Sequence, residues 1–402
     1  MTGPALLALL LAQASFASAP AAVSPGFSLI PLPAFTYNRN EGAWTGALVP
    51  VFRANSRGEI EDIFAPLYLH NDLIGETFTF NYFGYRAHTR QYHFVASHAT
   101  RIERTVDAGY FDSRAGPNGG EIVSLQLNDG KSAFNRFFGF GNRASDQRET
   151  TYSMGDANAK IDAGLNLPHS LALLIDERFR QTSIENGASH TLPQTLAAFP
   201  NLPGLEGAAI WGQGLTLRHD SRDNALTPLR GDLSTLSAEY DQDFQTASRP
   251  RWLRLTGETR WFFPHWNDRA VLVLHGLLDA AVGPIRGQVP FYERPSLGGE
   301  TTLRAFGRGR FTSNTAVLAN IEERLCMKRF IIMGNPIELE LAPFLDVGRV
   351  ARSPNADAWV KRLQFNPGLG IRLLARPNVA SRLDMAYGRD GLGIFVGLDY
   401  PF

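Results

Sequence analysis

The stretch that decides the fold is the last one, residues 392–402, LGIFVGLDYPF. Leu392, Ile394, Val396, Leu398, Tyr400 and Phe402 alternate there with Gly393, Phe395, Gly397 and Asp399. Successive side chains of a β-strand point to opposite faces, so one face of this segment is apolar throughout and the other is mostly small or polar. A soluble sandwich alternates too, but in shorter strands. Roughly ten residues of sustained alternation is the length and pattern of a strand crossing a bilayer in a barrel. Residues 337–350 read the same way, with Ile337, Leu339, Leu341, Leu345 and Val347 opposing Glu338, Glu340, Phe344 and Asp346.

Extending this reading toward the N-terminus gives strands at 43–53, 60–70, 76–86, 91–103, 105–112, 149–167, 171–183, 208–219, 230–241, 251–263, 269–281, 316–328, 337–350, 363–375, 381–389 and 392–402. The expected fold is all-β: a transmembrane antiparallel β-barrel of sixteen strands. Its long connections, 113–148, 184–207 and 282–315, all follow odd-numbered strands. A bacterial barrel with both termini in the periplasm places its longer loops on that side. The aromatics Tyr82, Tyr85, Tyr92, Trp252, Trp261, Trp266 and Tyr400 are expected in interfacial girdles.

Composition agrees. The chain has 402 residues, 38 of them Gly, with 11% aromatics and 39 basic against 39 acidic side chains. Abundant Gly and aromatics suit many strands and turns, and a net charge of zero gives no basic footprint for nucleic acid. The single cysteine, Cys326, rules out an intrachain disulfide and any metal site built on several cysteines. No apolar run of about 18 residues follows Phe27, so spanning helices are not expected. Residues 5–14 have the length of a signal-peptide apolar core, and Ala17-Ser18-Ala19 and Ala19-Pro20-Ala21 are cleavage candidates. The organisation expected is a signal peptide over 1–21 and one barrel domain over 22–402, exported to the outer membrane.

Two segments carry a family resemblance. Residues 297–306, LGGETTLRAF, with Gly298 and Gly299 at the turn, resemble the lid-loop signature of the BamA/TamA outer-membrane assembly factors, the bacterial surface antigen barrels. Residues 343–350, PFLDVGRV, resemble that family's barrel-wall motif, and Asn320-Ile321-Glu322 the strand after the lid loop. GFGN at 139–142, RHDSRDN at 218–224 and FNPGLGIR at 365–372 are also similar to family segments. The resemblance implies an inward-folded lid loop whose Arg304 pairs with Asp346 of the wall, with Glu322 as a second acceptor and Phe306 packed beneath, against Phe344. Ala305 stands where the family pattern has Gly, which costs roughly 1 kcal/mol if the site needs φ > 0. On spacing alone Arg304 reads as an ordinary solvated loop arginine and Asp346 as one lumen charge among many; the surrounding motifs favour the pinned loop. The terminal aromatic strand, with Leu398, Tyr400 and Phe402, looks like the signal read by the insertion machinery. Pro401 weakens the last ladder bond, or lies beyond the paired region.

Family members carry periplasmic POTRA domains. About twenty residues between the cleavage candidates and the first strand cannot hold one, so a barrel-only member is expected, with 30–38 as an extra strand or lead-in. The implied function is insertion, assembly or translocation of proteins or lipids at the outer membrane. The partners implied are outer-membrane lipid and lipopolysaccharide, with unfolded outer-membrane clients or a periplasmic partner in trans. A passive pore or structural surface antigen is the alternative, and a lipid hydrolase a remote one. No enzyme is expected: there is no GxSxG, His169-Ser170 falls in a short turn, and the nine histidines show no metal spacing. No cofactor or metal is implied.

Overall fold

The computed structural model describes residues 26–402 except 30, 39, 57–59, 88–89, 115–119, 226, 333–334, 354–361, 376–378 and 398–399. The expected signal peptide lies outside the described residues, as does Leu398. The chain opens with three interrupted hairpin arms. These are β1 (Gly26–Leu29) with β2 (Leu32–Asn38), β3 (Gly42–Leu48) with β4 (Val51–Ala54), and β5 (Ile60–Phe64) with β6 (Leu67–Asn71). Uninterrupted strands follow: β7 (Gly75–Ala87), β8 (Arg90–Ala99), β9 (Arg104–Ser113), β10 (Gly120–Phe137), β11 (Thr150–Leu167), β12 (Leu171–Asn186), β13 (Ala208–Asp220), β14 (Gly231–Asp243), β15 (Arg251–His265) and β16 (Ala270–Arg286). A long connection holds the two-residue strands β17 (Ser296–Leu297) and β18 (Phe311–Thr312). The chain then returns through β19 (Thr315–Ile332), β20 (Asn335–Ala351), β21 (Gln364–Ala375), β22 (Val379–Gly388) and β23 (Gly391–Gly397).

All but β17 and β18 belong to one antiparallel sheet of 21 segments. Each pairs with its sequence neighbours, β1 with β4 and β2 with β3 at the start and β22 with β23 at the end. Three passes are each broken once, so the 21 segments make eighteen passes, two more than the sixteen expected. The first extra pass is β1–β2. Its prolines argue against an inner strand, yet Pro33 sits opposite Ala47 on an edge strand, where a missing N–H costs no ladder bond. The second is β10, hidden by its Asn128-Asp129-Gly130-Lys131 run, which reads as a turn. In the sheet Asn128 faces inward and donates to Asp107 Oδ2 (3.1 Å). The two edges face each other across a seam, where Thr36 Oγ1 donates to Val396 O (2.9 Å). Among the described residues no backbone ladder joins β2 to β23. The result is an antiparallel β-barrel.

Inner and outer faces follow the alternation. On β11, Asp156, Asn158, Lys160 and Asp162 point into the lumen, while Ile161 and Leu165 are exposed on the outside. The connections 138–149, 187–207, 287–314 and 352–363 all leave one rim, called here the long-loop rim. The other, short-turn rim carries tight hairpins such as His169-Ser170, both with left-handed φ (61° and 59°). The parity expected from sequence therefore survives the added passes, because two were gained ahead of the long loops. Trp261 and Trp266 face outward as expected, but Trp252, Tyr85 and Tyr400 are buried inside.

The interior is unlike on the two sides of the seam. Behind β3, β5, β6, β7 and β8 it is an apolar core of Trp44, Leu48, Ile63, Leu67, Leu69, Phe83 and Val95, closed by Ala133 and Phe134. Behind β19–β22 it is a layer of buried charge.

Candidate functional site: the lid loop and its anchors

The connection 287–314 folds into the lumen as a lid. Its β17–β18 pairing brings Leu297 opposite Phe311 and closes a compact turn. Gly298 and Gly299 adopt φ of +117° and +109°, which L side chains rarely reach. A Cβ on Gly298 would also lie 2.3 Å from the Gly307 carbonyl oxygen, so the turn needs glycine there on two counts. Thr302 Oγ1 accepts from Gly298 N (2.9 Å), and Gly299 N donates to Phe306 O (2.9 Å).

This turn presents Arg304 to the wall. Its Nη2 and Nε donate to Asp346 Oδ1 (2.7 and 3.2 Å), and its Nη1 donates to Glu322 Oε2 (2.8 Å). Its backbone N–H also binds Asp346 Oδ2 (3.0 Å). Asn320 Nδ2 donates to Asp346 Oδ1 (2.7 Å) and to Thr302 O (2.9 Å), tying both sides together. The Phe344 ring lies flush under the guanidinium, 3.3 Å from its centroid to Cζ. Arg304, Glu322 and Asp346 side chains are all fully buried. Burial alone would depress the pKa of Arg304; the charges of Asp346 and Glu322 outweigh it and raise it, so the guanidinium stays charged.

The sequence reading thus placed Arg304, Asp346 and Glu322 together, and so does the structure. Two details differ. Phe306 stacks edge-on against Phe311 (4.8 Å), while Phe344 is taken by Arg304. A planar ring under a guanidinium gains more than a second apolar contact would, and the β17–β18 turn holds Phe311 closer to Phe306. Ala305 is not at positive φ, so the departure from Gly carries no backbone strain. Room for its methyl comes instead from Gly388 and Gly393, where any Cβ would come within 2.7 Å of Ala305 Cβ and 2.4 Å of Arg304 O.

The lock extends into a network that sequence reasoning missed. Arg372 Nη2 donates to Glu322 Oε2 (2.9 Å) and Asp384 Oδ1 (3.3 Å), and Arg382 Nη1 to Asp384 Oδ2 (3.1 Å). Arg324 Nε donates to Glu322 Oε1 (2.9 Å). Asn366 and Arg372 fall within the FNPGLGIR segment, so that resemblance has a structural content. The RHDSRDN segment, by contrast, secures the short-turn rim: His219 and Ser221 engage Asp232, and Arg222 forks onto Asp220.

A second anchor lies at the other end of the lid. Glu293, in the 3-10 turn Phe291–Glu293, accepts from Arg180 Nη1 (2.6 Å) and Arg178 Nη2 (3.4 Å) of β12. Burial would raise its pKa, but Arg180 and Arg178 overcome that and hold it at about 2. A third is Arg310, which binds Asp390 (2.5 Å) and Ala144 O (3.0 Å) between the long loops. The one available signal for Glu293 was an acid set in the uncharged aromatic run Val289-Pro290-Phe291-Tyr292.

The C-terminus also departs from expectation. β23 ends at Gly397, so Pro401 lies beyond the paired region, and Tyr400 and Phe402 leave the outer face. Tyr400 Oη donates to Glu340 Oε2 (3.0 Å), with the Arg324 guanidinium 3.5 Å over its ring. Phe402 stacks on His275 (4.8 Å). Inward apolar and cationic partners outweigh continuation of a strand that the proline cannot extend.

The sequence matches the Omp85 superfamily domain over residues 90–402. The chain belongs to the Omp85 superfamily. It is an outer-membrane β-barrel of that superfamily, with the BamA-like fold. Among solved structures it is similar to BamA from Haemophilus ducreyi lacking POTRA domains 1–3, at 13% identity and TM-score 0.54, covering 92% of this chain and 69% of that one. It is likewise similar to CdiB from Escherichia coli, at 12% identity and TM-score 0.54, covering 91% and 66%. The Omp85 chain thus spans about two thirds of the length of these neighbours. A comparison with curated proteins gives no match.

Proposed function

We propose that this barrel inserts, assembles or translocates protein, with lipid as a further cargo class, at the outer membrane by opening its seam while the lid steadies the lumen. The observation that carries the reading is the contrast at the seam. Neighbouring wall passes are joined by backbone ladders, whereas among the described residues none joins β2 to β23, which meet at the hydrogen bond from Thr36 Oγ1 to Val396 O. A seam without a ladder opens at lower cost than any other wall position, and each exposed edge is a template for strand addition. In this reading the termini and short turns face the periplasm and the long loops face outward. Unfolded outer-membrane proteins, or a periplasmic partner acting in trans, would approach from the short-turn rim. Outer-membrane lipid and lipopolysaccharide surround the wall. Arg304, Asp346 and Glu322 act as a lid lock, with Phe306, Phe344, Gly298 and Gly299 shaping it. Tyr400 and Phe402 are read as an insertion signal before they tuck inside.

The test is a seam cross-link: Thr36→Cys with Gly397→Cys, which face the lumen on the two edges, in a Cys326→Ser background. Oxidation is expected to abolish insertion of a reporter barrel into liposomes, and reduction to restore it. Undiminished insertion by the cross-linked protein would overturn the proposal. A second reading, a passive pore, is favoured by a lumen cavity of about 1240 Å³ between β8 and β15, lined by Asp107, Asn128, Arg218 and Arg260. Steady conductance with no reporter insertion, cross-linked or not, would favour it.

A further inference from the structure

The outer wall carries a concavity that neither the lid nor the seam uses. It has a volume of about 630 Å³ and opens on the membrane-facing side of β3, β6, β7, β8 and β9, within the roughly 300–1,000 Å³ typical of ligand sites. It arises from two prolines. The second and third passes both break, between Leu48 and Val51 at Pro50 and between Phe64 and Leu67 at Pro66, and the sheet bends there. The break is held in shape: Val49 N donates to Pro66 O (3.0 Å), Ala65 N to Asn81 O (2.9 Å), and the buried Asn81 Nδ2 to Ala65 O (2.6 Å). A bend whose orphaned carbonyl is met by a buried side chain is a constructed feature, not a packing fault.

The lining is graded along the barrel axis. At mid-wall it is Val49, Pro66, Phe80 and Val106. Toward the long-loop rim, one transverse row follows the pairings Ala47↔Tyr68, Tyr68↔Phe78, Phe78↔His98 and His98↔Arg104. Phe78 is 61% exposed and Phe80 47%, so their rings form open walls. His98 and Arg104 have no hydrogen-bond or ion-pair partner among the described residues. Lys131, opposite Arg104 and bound to Glu185, lies beyond them. The acids on this face are Glu76, already engaged by Tyr68 and His70, and Asp129, opposite Val106.

We propose that this concavity is a binding site for one phosphorylated saccharolipid of the outer leaflet, of the lipid A class. An acyl chain fills the bend from mid-wall upward, and a headgroup phosphate rests on Arg104 and His98. The polarity gradient fits an amphiphile whose head is at the long-loop rim, which makes it an outer-leaflet lipid under the orientation proposed above. A guanidinium matches the phosphate fork, and a cation near a membrane surface attracts an anionic lipid.

The experiment uses the full chain in nanodiscs of phosphatidylglycerol doped with lipid A. Retained lipid is measured by native mass spectrometry after delipidating washes. The wild type is expected to keep one lipid A. Arg104→Ala with His98→Ala is expected to retain on the order of fivefold to tenfold less. Ala96→Trp, which fills the bend and leaves Arg104 and His98 in place, is expected to lose it too, while Arg104→Lys keeps most of it. Heat-modifiable gel mobility reports whether each variant is folded and inserted, so a failure of the barrel reading is seen separately. Equal retention in the wild type and both disabling variants, or preferential retention of phosphatidylglycerol, overturns the proposal.

Discussion

The two walls that flank the seam are held from inside by different physics. On the N-terminal side, Trp44, Leu67, Leu69 and Phe83 pack against Ala133 and Phe134, with Trp44 Nε1 donating to Glu41 Oε2 (3.3 Å) and Ala133 N to Glu103 Oε1 (3.3 Å). On the C-terminal side, Arg304, Arg324, Arg372 and Arg382 interleave with Glu322, Glu340, Asp346 and Asp384, nearly all fully buried. Apolar packing is non-directional, and its loss is graded with the volume removed. A buried ion network is directional and fails abruptly, because deleting one member strands a charge in a medium that cannot solvate it. The difference suits a barrel whose seam works. The apolar side tolerates small shifts of its passes, while the ionic side holds the lid and C-terminus in one register.

The comparison breaks most visibly at Arg304. Arg304→Ala leaves Asp346 with Asn320 and the backbone N–H of residue 304 but no cation, whereas Glu322 keeps Arg324 and Arg372. The expected loss is about 3–5 kcal/mol, read as a lower urea midpoint for heat-modifiable mobility together with larger single-channel conductance. No change in either measurement would sink the lock. Removing both partners, in Arg304→Leu with Asp346→Leu, is expected to be milder than the single change, since no charge is stranded.

Glu293 comes next. Its folded pKa of about 2 lies below the ordinary carboxylate value of 4.5. The stability it contributes is present above pH 4.5 and is lost as pH falls from there toward 2. Glu293→Gln is expected to cost about 2 kcal/mol at neutral pH and to flatten the acid dependence of lid release between pH 4.5 and 2. An unchanged acid profile in conductance would show that the second anchor does not hold the lid.

On the apolar side, Ile63→Val should cost only about 1 kcal/mol and leave conductance as it was. A collapse of the fold there would mean that the two walls do not differ as argued. The smallest effect belongs to the seam. Thr36→Val removes one hydrogen bond, about 0.5 kcal/mol, and is expected to raise reporter insertion slightly with no shift in the urea midpoint. Lower insertion would argue that this bond guides opening and does not merely restrain it.

Much of this barrel is written locally. Alternation in 337–350 and 392–397 set the strand faces, because one pleated face meets lipid and the other does not. The length of the connections set the parity. Gly298, Gly299 and Arg304 were legible through the family resemblance of the lid segment, while alternation placed Glu322 and Asp346 on the lumen face. Other features had no local signature. Asn128–Lys131 reads as a turn, and only neighbours on both sides keep it extended in β10. The fork of Arg178 and Arg180 onto Glu293 joins residues more than a hundred positions apart, which no periodicity encodes. The inward turn of Tyr400 and Phe402 depends on His275, Arg324 and Glu340 standing ready across the lumen. The sequence by itself determined which faces meet lipid and which charges must find partners. Only the closed tertiary structure decided which partners they found, because burial makes each charge satisfy itself with whatever the opposite wall presents.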